Sequence, residues 1–357
     1  MSTIKVTNIQ NPSAPSAAVV LDTNGQATLN GLAYPTAGPL SNRNLIINGA
    51  MQVAQRSTSE TGVTSSGIYT VDRWKFDTTD EATYTIEQSS DSPVGFDNSL
   101  KFTVTTADSS VEADDYSACQ YLFEGHNCVS LGFGATGAKS FTLSFWVKSS
   151  ETGTFGLNFQ NGDNSKNFNS SYSVSTADTW EYKTITIPGD TSGTWLKDTG
   201  VGLKLWFSFL VGTTYEASAV STNWDTSLKL GLNGQVQLSS ITNATWQITG
   251  VQLEVGTVAT PFEHRSYGDE LARCQRYYQL INYFSGNSNY AINAKYGHFG
   301  QQAGVPMRIT PSAPTPTGSG TLAFVSSGQP GYRYIFAYPT TGAASSTYYT
   351  AEADAEL

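Results

Sequence analysis

Short segments in which apolar and polar residues alternate run through the middle of the chain and predict β-strands. In residues 141–147, phenylalanine, leucine and valine occupy every second position. Alternate side chains of a strand point to opposite faces, so this strand buries one face and places Trp146 on the other. Residues 203–211 are almost continuously apolar, which predicts a central strand that is covered on both faces.

Turn-forming Gly, Asn, Ser and Thr residues separate these segments. This pattern favours many short strands joined by turns over helices. Further strands are predicted at residues 69–77, 83–88, 100–106, 116–123, 155–160, 182–187 and 228–230. About eight to ten such strands are enough for a jelly roll. The sequence therefore predicts an all-β fold built on an antiparallel jelly-roll β-sandwich.

The apolar positions of residues 245–255 change parity part of the way along. Trp246 and Ile248 occupy even positions, whereas the apolar residues from Val251 onward occupy odd ones. One extra residue at a glycine bulge would keep both sets on the same face. The pattern predicts an inward-facing strand with an irregularity at Thr249-Gly250.

The chain divides into four predicted regions. Residues 1–42 are a short β segment and linker with too little apolar surface to fold alone. We expect this segment to dock onto a partner, and the alternative is a flexible arm. Residues 43–265 form the sandwich, and residues 266–299 contain one short helix and an aromatic-rich connector. Residues 300–357 form a small C-terminal β element.

Two motifs mark the ends of the central region. Residues 43–56 (RNLIINGAMQVAQR) and 69–76 (YTVDRWKF) open it, and residues 245–278 close it with a strand, a Thr-Pro corner and a helix. This arrangement resembles tailed-bacteriophage tail-fibre and other appendage proteins whose jelly-roll domain is similar to carbohydrate-binding modules. The residues that carry the opening motif are Asn44, Leu45, Asn48, Gly49, Gln55, Arg56, Asp72, Arg73 and Trp74. The resemblance implies a virion protein that is a homotrimer.

Charge and composition narrow the function classes. The chain has 19 basic and 29 acidic residues, a net charge of −10, and no basic cluster, which argues against binding to nucleic acid. It has no apolar run long enough to span a membrane and no secretory signal pattern at its N-terminus. These features fit a virion protein assembled in the host cytoplasm. An ordinary cytoplasmic β protein is the alternative.

The sequence gives little support for catalysis or for a bound metal. Cys119, His126 and Cys128 lie close together, but a zinc site needs further ligands, so we expect buried free thiols. No nucleophile elbow, P-loop or zinc-protease motif is present. A glycosidase would need paired carboxylates, for which Asp114, Asp115, Glu124 and Asp163 are the candidates. We predict no enzymatic activity, no cofactor and no catalytic metal.

Sugar binding is the more promising chemistry, because sugar rings stack on exposed aromatic side chains. The candidates lie in polar, loop-like surroundings: Tyr172, Trp180, Trp195 and Trp224. Ordinary packing in the core or at a strand edge is the alternative for each. The oxygen-rich segment 161–167 (NGDNSKN) is a weak candidate for structural calcium.

These observations predict a short tail fibre on the outer surface of a phage, attached to other virion proteins through residues 1–42. As a homotrimer it would bind a glycan of the host surface without a catalytic step. One alternative is a capsid decoration protein, a head fibre or another baseplate or tail structural protein that binds no glycan. A tail-associated depolymerase is the third possibility, although phage depolymerases are mostly long β-helices and the chain has no repeat of that kind.

Overall fold

The computed structural model describes residues 8–10, 19–21, 27–29, 32–33, 41–285, 307–308, 321–326, 333–338 and 347–357. The N-terminal strands are β1 (Asn8–Ile9), β2 (Val19–Leu21), β3 (Ala27–Leu29) and β4 (Leu32–Ala33). The next strands are β5 (Ser59–Val63), β6 (Trp74–Thr78), β7 (Thr83–Ser89), β8 (Ser99–Thr106), β9 (Tyr116–Glu124), β10 (Phe141–Ser149), β11 (Gly153–Gln160), β12 (Asn167–Val174), β13 (Glu181–Ile187), β14 (Val201–Val211), β15 (Glu216–Ala217), β16 (Gly231–Leu232) and β17 (Thr245–Val255). The C-terminal strands are β18 (Tyr278–Ser285), β19 (Thr321–Ser326), β20 (Arg333–Tyr338) and β21 (Thr347–Asp354).

Two antiparallel sheets form the body of the protein. The six-stranded sheet has the order β13-β10-β17-β8-β7-β5, and the five-stranded sheet has the order β12-β11-β14-β9-β6. Aromatic side chains from the two sheets meet between them: the ring centroids of Phe145 and Phe207 are 5.2 Å apart, and those of Phe102 and Phe209 are 4.8 Å apart. The predicted all-β fold with an antiparallel β-sandwich is therefore confirmed.

The central position predicted for residues 203–211 is also confirmed, because β14 is the middle strand of the five-stranded sheet. The predicted alternation in β10 holds as well, since its inward residues are fully buried and Trp146 packs on the outer face against Tyr182. Two strands of the sandwich, β5 and β12, have no counterpart in the predictions. Residues 228–230 are not a strand, and the short strand β16 begins at Gly231 instead.

The strand irregularity predicted at Thr249-Gly250 is present. Ser144 pairs with Gln252 while Trp146 pairs with Thr249, so β17 contains one residue more than β10 over this interval. Gly250 has a φ of +61°, the left-handed conformation that favours glycine at such a bulge. As a result the apolar residues before and after the bulge are all buried in the same core.

The described residues contain two short α-helices instead of the predicted one. The expected helix is α2 (Tyr267–Gln275), whose N-cap Ser266 accepts a hydrogen bond from the Asp269 amide through its side chain. The additional helix, α1 (Gly125–Cys128), is a single turn that follows β9 directly. Neither described helix has the length and apolar run required to cross a membrane.

The opening and closing motifs of the sandwich contact each other. The Asn44 side chain accepts a hydrogen bond from the Leu253 amide (3.1 Å) and donates one to the Val251 carbonyl (3.1 Å). Gly49 lies so close to β17 that a Cβ atom there would meet the Val251 carbonyl oxygen at 2.1 Å. The Trp74 indole donates to the Asn48 carbonyl (3.1 Å). The residues of these two motifs therefore have a structural role in closing the sandwich.

The residues near the C-terminus fold back onto the same region. Strand β18 pairs with β21 along its whole length, from Tyr278 with Asp354 to Ser285 with Thr347. Arg73 is almost fully buried, forms an ion pair with Glu356, and lies over the Tyr277 ring with its guanidinium carbon 3.5 Å from the centroid. Two segments lie outside the described residues: most of the linker predicted within residues 1–42, and residues 286–306. The region boundaries predicted there stay predictions.

Candidate functional site

The outer face of the five-stranded sheet carries a row of polar and aromatic residues. Strand register places Lys75 beside Gln120, Gln120 beside Trp206, and Trp206 beside Asn158. Asn158 in turn pairs with Asn169 of the edge strand β12. Because neighbouring strands are about 4.8 Å apart, this row crosses the whole sheet and presents amides, an indole and an ammonium group on one surface.

A cleft of about 350 Å³ lies over this row. The segment that follows β14 forms one wall: Tyr215, Leu228 and Leu230 line the cleft, and the Ser208 hydroxyl holds the segment by donating to the Leu230 carbonyl. Tyr116 packs edge-on against Tyr215, with ring centroids 5.6 Å apart. The volume is in the range of sites that bind small molecules.

Three residues that line the cleft each carry a buried polar atom without a hydrogen-bond partner among the described residues. The atoms are Oε1 of Gln120, Oε1 of Gln160 and the indole Nε1 of Trp206. The three residues are only 3%, 1% and 7% exposed. A buried polar group without a partner costs about 1–3 kcal/mol, so two acceptors and one donor in one cleft are a reason to expect a polar ligand.

Beneath the wall segment, a network of amides fixes the floor of the cleft. The Asn158 side chain donates to the side-chain oxygens of Asn167 (2.7 Å) and Asn169 (2.9 Å). The Gln160 amide also donates to the Asn167 side chain (3.3 Å). These bonds hold the carboxamide of Gln160, a residue that lines the cleft, in an orientation that leaves its oxygen buried without a hydrogen-bond partner.

The charges in the cleft are two ammonium groups and one carboxylate. Lys75 is paired with Asp77 (3.4 Å), whereas Lys204 donates to the Asn164 side-chain oxygen (2.5 Å) and forms no ion pair within the described part of the chain. Burial and the nearby Lys75 charge lower the pKa of Lys204. Burial and the Asp77 carboxylate raise the pKa of Tyr116 to about 12, so its hydroxyl is a neutral donor.

The four aromatic residues predicted to bind sugar do not form one site. Tyr172 belongs to the core: it is 5% exposed, stacks on Phe155, and accepts a hydrogen bond from the Trp246 indole (2.8 Å). The expectation that Tyr172 lies at the surface is therefore wrong, because β12 turns this side chain inward although its neighbours are polar. A sugar cannot reach the Tyr172 ring without opening the sandwich.

Trp195 and Trp224 lie together at one end of the sandwich, where their rings are perpendicular and 5.1 Å apart. Trp195 is 8% exposed and its indole donates to the Ser192 carbonyl (3.1 Å). Packing against Phe133 covers it, so the predicted surface position is also wrong for Trp195. Trp224 is half-buried and its indole donates to the Pro188 carbonyl (2.7 Å), so it keeps part of a ring edge at the surface.

Trp180 is half-buried on the side of the six-stranded sheet, away from the cleft, and its indole donates to the Asp91 carboxylate (3.2 Å). Lys148 pairs with the same carboxylate (2.5 Å). A role of Trp180 or Trp224 in sugar binding stays a prediction. Neither residue lines the cleft described above.

Two of the carboxylates considered for catalysis, Glu124 and Asp163, form hydrogen bonds within the protein. Glu124 is buried, where its carboxylate receives hydrogen bonds from Arg276 (2.6 Å) and the Tyr277 hydroxyl (2.8 Å). Asp163 accepts hydrogen bonds from the amide and hydroxyl of Ser165 (3.0 and 2.7 Å), which makes segment 161–167 a tight turn. No group of three or more potential metal-ligating side chains occurs among the described residues.

The three cysteines are buried free thiols, which confirms that prediction. Burial raises the pKa of Cys128 to about 12 and the pKa of Cys119 and Cys274 well above the usual value. A thiol with a raised pKa is mostly protonated at neutral pH and reacts slowly. None of the three therefore has the features of a catalytic nucleophile.

Gln120, Gln160 and Trp206 are not among the binding residues that the sequence pattern predicts. The signal was the alternation Lys204, Trp206 and Ser208 in β14, which repeats at every second residue on the face opposite the core. The intervening phenylalanines and leucines hid this pattern, because the strand as a whole is almost continuously apolar.

Comparisons with known proteins find several solved structures that are similar to part of this chain at low sequence identity. No protein-family model and no curated protein sequence matches it. The structure is similar to the enzymatically active domain of tailspike protein 4 of bacteriophage CBA120 (14% identity, TM-score 0.33), with 59% of this chain and 21% of that one covered. It is also similar to a protein described as CBM4 (13% identity, TM-score 0.31), with 58% and 97% covered. A third similar structure is a family 11 carbohydrate-binding module from Clostridium thermocellum bound to a mixed-linked tetrasaccharide (12% identity, TM-score 0.27), with 58% and 99% covered. Because the chain spans only 21% of the tailspike domain, that domain's enzymatic activity is not carried over.

Proposed function

We propose that this protein binds a glycan in the cleft over the outer face of the five-stranded sheet. The bound glycan would be part of a host cell surface, and the protein would be a non-catalytic short tail fibre of a bacteriophage that acts as a homotrimer. Three copies of a weak site on one particle would bind together far more tightly than each alone, because tethering raises the effective concentration.

The observation that carries this proposal is the set of unpartnered polar atoms in the cleft. Gln120, Gln160 and Trp206 line the same 350 Å³, and two carboxamide oxygens and one indole N–H of these residues are buried without a partner. Sugar hydroxyls donate and accept hydrogen bonds at short intervals, so they would match these groups once small side-chain rotations turn them toward the cleft. Tyr116 and Tyr215 are half-buried at its side and offer apolar ring surface for the faces of a sugar. A cleft with both kinds of surface is typical of small-ligand sites.

The proposed setting on a virion rests on the sequence. The opening motif at residues 43–76 and the closing motif at residues 245–278 resemble those of phage appendage proteins, and they contact each other in the folded chain. The homotrimer and the docking role of residues 1–42 are supported by the small amount of apolar surface at both ends of the chain. A capsid decoration protein without glycan binding would share these features, so glycan binding is the property that distinguishes the two.

A glycan array probed with the full-length protein tests the binding proposal. For any sugar that binds, Gln120→Leu should weaken binding about tenfold or more, since it removes a hydrogen-bonding group from the cleft at nearly constant volume. Tyr215→Ala should weaken it by removing ring contact. Tyr182→Ala, on the outer face of the opposite sheet and 45% exposed, is the matched control and should bind as the wild type does.

The same array separates the cleft from the aromatic residues predicted earlier. If Trp180→Ala or Trp224→Ala abolishes binding while Gln120→Leu leaves it unchanged, the sugar site lies elsewhere on the sandwich. If a broad array of bacterial surface glycans gives no binding at all, the proposal fails and a purely structural virion role is favoured.

Assembly is tested by light scattering and by truncation. A homotrimer should have about three times the chain mass of 38.3 kDa, and a monomer with an unchanged cooperative melt would contradict the trimer. Deletion of residues 1–42 should leave a folded sandwich that no longer joins the virion. Incorporation of the truncated protein into particles would show that the docking surface lies elsewhere.

A further inference from the structure

The cleft contains an ammonium group whose charge is not balanced by a paired carboxylate. Lys204 lies on the middle strand of the five-stranded sheet and lines the cleft together with Lys75 and Asp77. Asp77 is paired with Lys75 (3.4 Å). The Lys204 ammonium donates a hydrogen bond to the neutral amide oxygen of Asn164 (2.5 Å) and has no ion pair among the described residues.

The surroundings of Lys204 make this arrangement costly in the absence of an anion. The side chain is half-buried, and removing an ammonium group from water is unfavourable unless it is paired. Its pKa is lowered by burial first and by the Lys75 charge second, and the carboxylates of Asp163 and Asp77 oppose this shift more weakly. An anion bound beside Lys204 would relieve both unfavourable contributions.

The position of Lys204 relative to the unpartnered groups defines what kind of anion fits. In the sheet register, Lys204 pairs with Gln160 on one side and Leu122 on the other, and Trp206 is the next residue of β14 with the same facing. The ammonium therefore rises from the same floor as the Gln160 and Trp206 groups that a sugar would contact. One ligand can satisfy all of them if a sugar residue itself carries the negative charge.

We propose that the cleft selects a glycan with an anionic sugar residue and that Lys204 binds its anionic group. This inference rests on the proposed function, because it concerns the same cleft. A carboxylate, as in a uronic acid, and a sulfate ester both provide the required charge and acceptor oxygens. We expect the cleft to accept one anionic group only. The Asp77 carboxylate is already paired with Lys75 and would repel a second anion near that lysine.

Paired sugars that differ only in charge test the selectivity. Oligogalacturonides and hyaluronan fragments are compared with the same oligomers after reduction of their carboxylates to hydroxymethyl groups, and sulfated heparin fragments form a third arm. Calorimetry with the full-length protein should give at least about tenfold tighter binding of an acidic oligomer than of its reduced form. The preference should shrink as salt is raised from about 50 to about 500 mM.

Variants of Lys204 connect the preference to the residue. Lys204→Gln should bring the acidic and reduced forms to within about twofold of each other, and Lys204→Arg should keep most of the preference. Lys101→Gln is the matched control, because Lys101 lies on β8 in the opposite sheet and pairs with Glu87 (2.9 Å). It should leave both affinities unchanged.

The possible outcomes distinguish selectivity for an anionic sugar from glycan binding in the cleft. Equal binding of acidic and reduced oligomers, weakened by Gln120→Leu, would overturn the anionic selectivity and leave the glycan site in place. Selective binding of only the sulfated fragments would identify a sulfate ester as the anion. If neither acidic nor reduced oligomers bind and a broad glycan array is also negative, the proposed glycan site and its proposed selectivity are both refuted.

Discussion

Replacing Arg73 by methionine should destabilise the sandwich strongly while leaving the cleft intact. The Arg73 side chain is 2% exposed, pairs with Glu356, donates to the Leu122 carbonyl (2.5 Å) and lies over the Tyr277 ring. Burial alone lowers the pKa of Arg73, but the Glu356 carboxylate and the adjacent tyrosines outweigh it and the pKa is raised. Methionine fills a similar volume but leaves the Glu356 carboxylate, whose side chain is 6% exposed, with only the longer ion pair to Arg56 (3.5 Å).

Removing one partner of a buried ion pair costs about 3–5 kcal/mol, and the lost cation–π contact adds about 1 kcal/mol. We therefore expect Arg73→Met to lower the free energy of unfolding by about 3–5 kcal/mol, measured by urea denaturation followed through tryptophan fluorescence. Relaxation of the Glu356 segment toward water limits the loss to that range.

A second substitution separates the ion pair from simple packing. The double variant Arg73→Met/Glu356→Gln should recover at least about 1 kcal/mol relative to Arg73→Met, because the buried carboxylate that lost its shortest ion pair is then neutral and Arg56 keeps its ion pair with Asp354 (3.0 Å). Arg73→Lys should lie between wild type and Arg73→Met. A loss below about 1 kcal/mol for Arg73→Met, or strict additivity in the double variant, would refute the view that this pair holds the C-terminal residues on the sandwich.

Three further predictions follow from the core. Gly250→Ala should lower the free energy of unfolding by about 2–4 kcal/mol in urea denaturation, because the added Cβ would meet the Phe96 ring at 2.6 Å and φ is +61°. An unchanged denaturation midpoint would contradict the bulge. Tyr172→Phe should lower the free energy of unfolding by about 1–3 kcal/mol, because it leaves the Trp246 indole N–H unpaired. It should not change the affinity for any glycan, and a large loss of affinity would show that Tyr172 belongs to the binding site. The buried thiols should stay unreactive toward a disulfide reagent at pH 8 and react fully in denaturant, since a pKa of about 12 for Cys128 leaves almost no thiolate; rapid labelling of the native protein would contradict their burial.

The features that the sequence predicted well are those set by local pattern. The parity change around Gly250 predicts a bulge because a strand has a strict period of two, and a glycine with positive φ is the simplest way to restore it. The alternation in 141–147 predicts which face of β10 is buried for the same reason. The two motifs that resemble each end of a jelly-roll domain are about 200 residues apart in the sequence and contact each other in the fold.

The candidate cleft was missed because its residues are defined by long-range pairing. Trp206 is next to Lys75 only through Gln120 of β9, and no local pattern contains that register. Strand β12 was missed because its outward side is a row of amides and serines, which reads as a loop. Tyr172 was assigned to the surface by the same polar neighbours, although its own position in β12 faces the core.

The pairing of β18 with β21 makes the chain leave the sandwich and return to it at one place. Tyr278 and Asp354 are partners next to the sandwich, and Ser285 and Thr347 are partners at the other end of the ladder. Sequence inserted or exchanged between Ser285 and Thr347 therefore enters and exits through adjacent strands, a geometry in which insertions are tolerated well. The ladder is therefore a suitable place to insert a foreign segment, because the two strands that flank the insertion stay paired with each other and the cleft on the five-stranded sheet is formed by other strands.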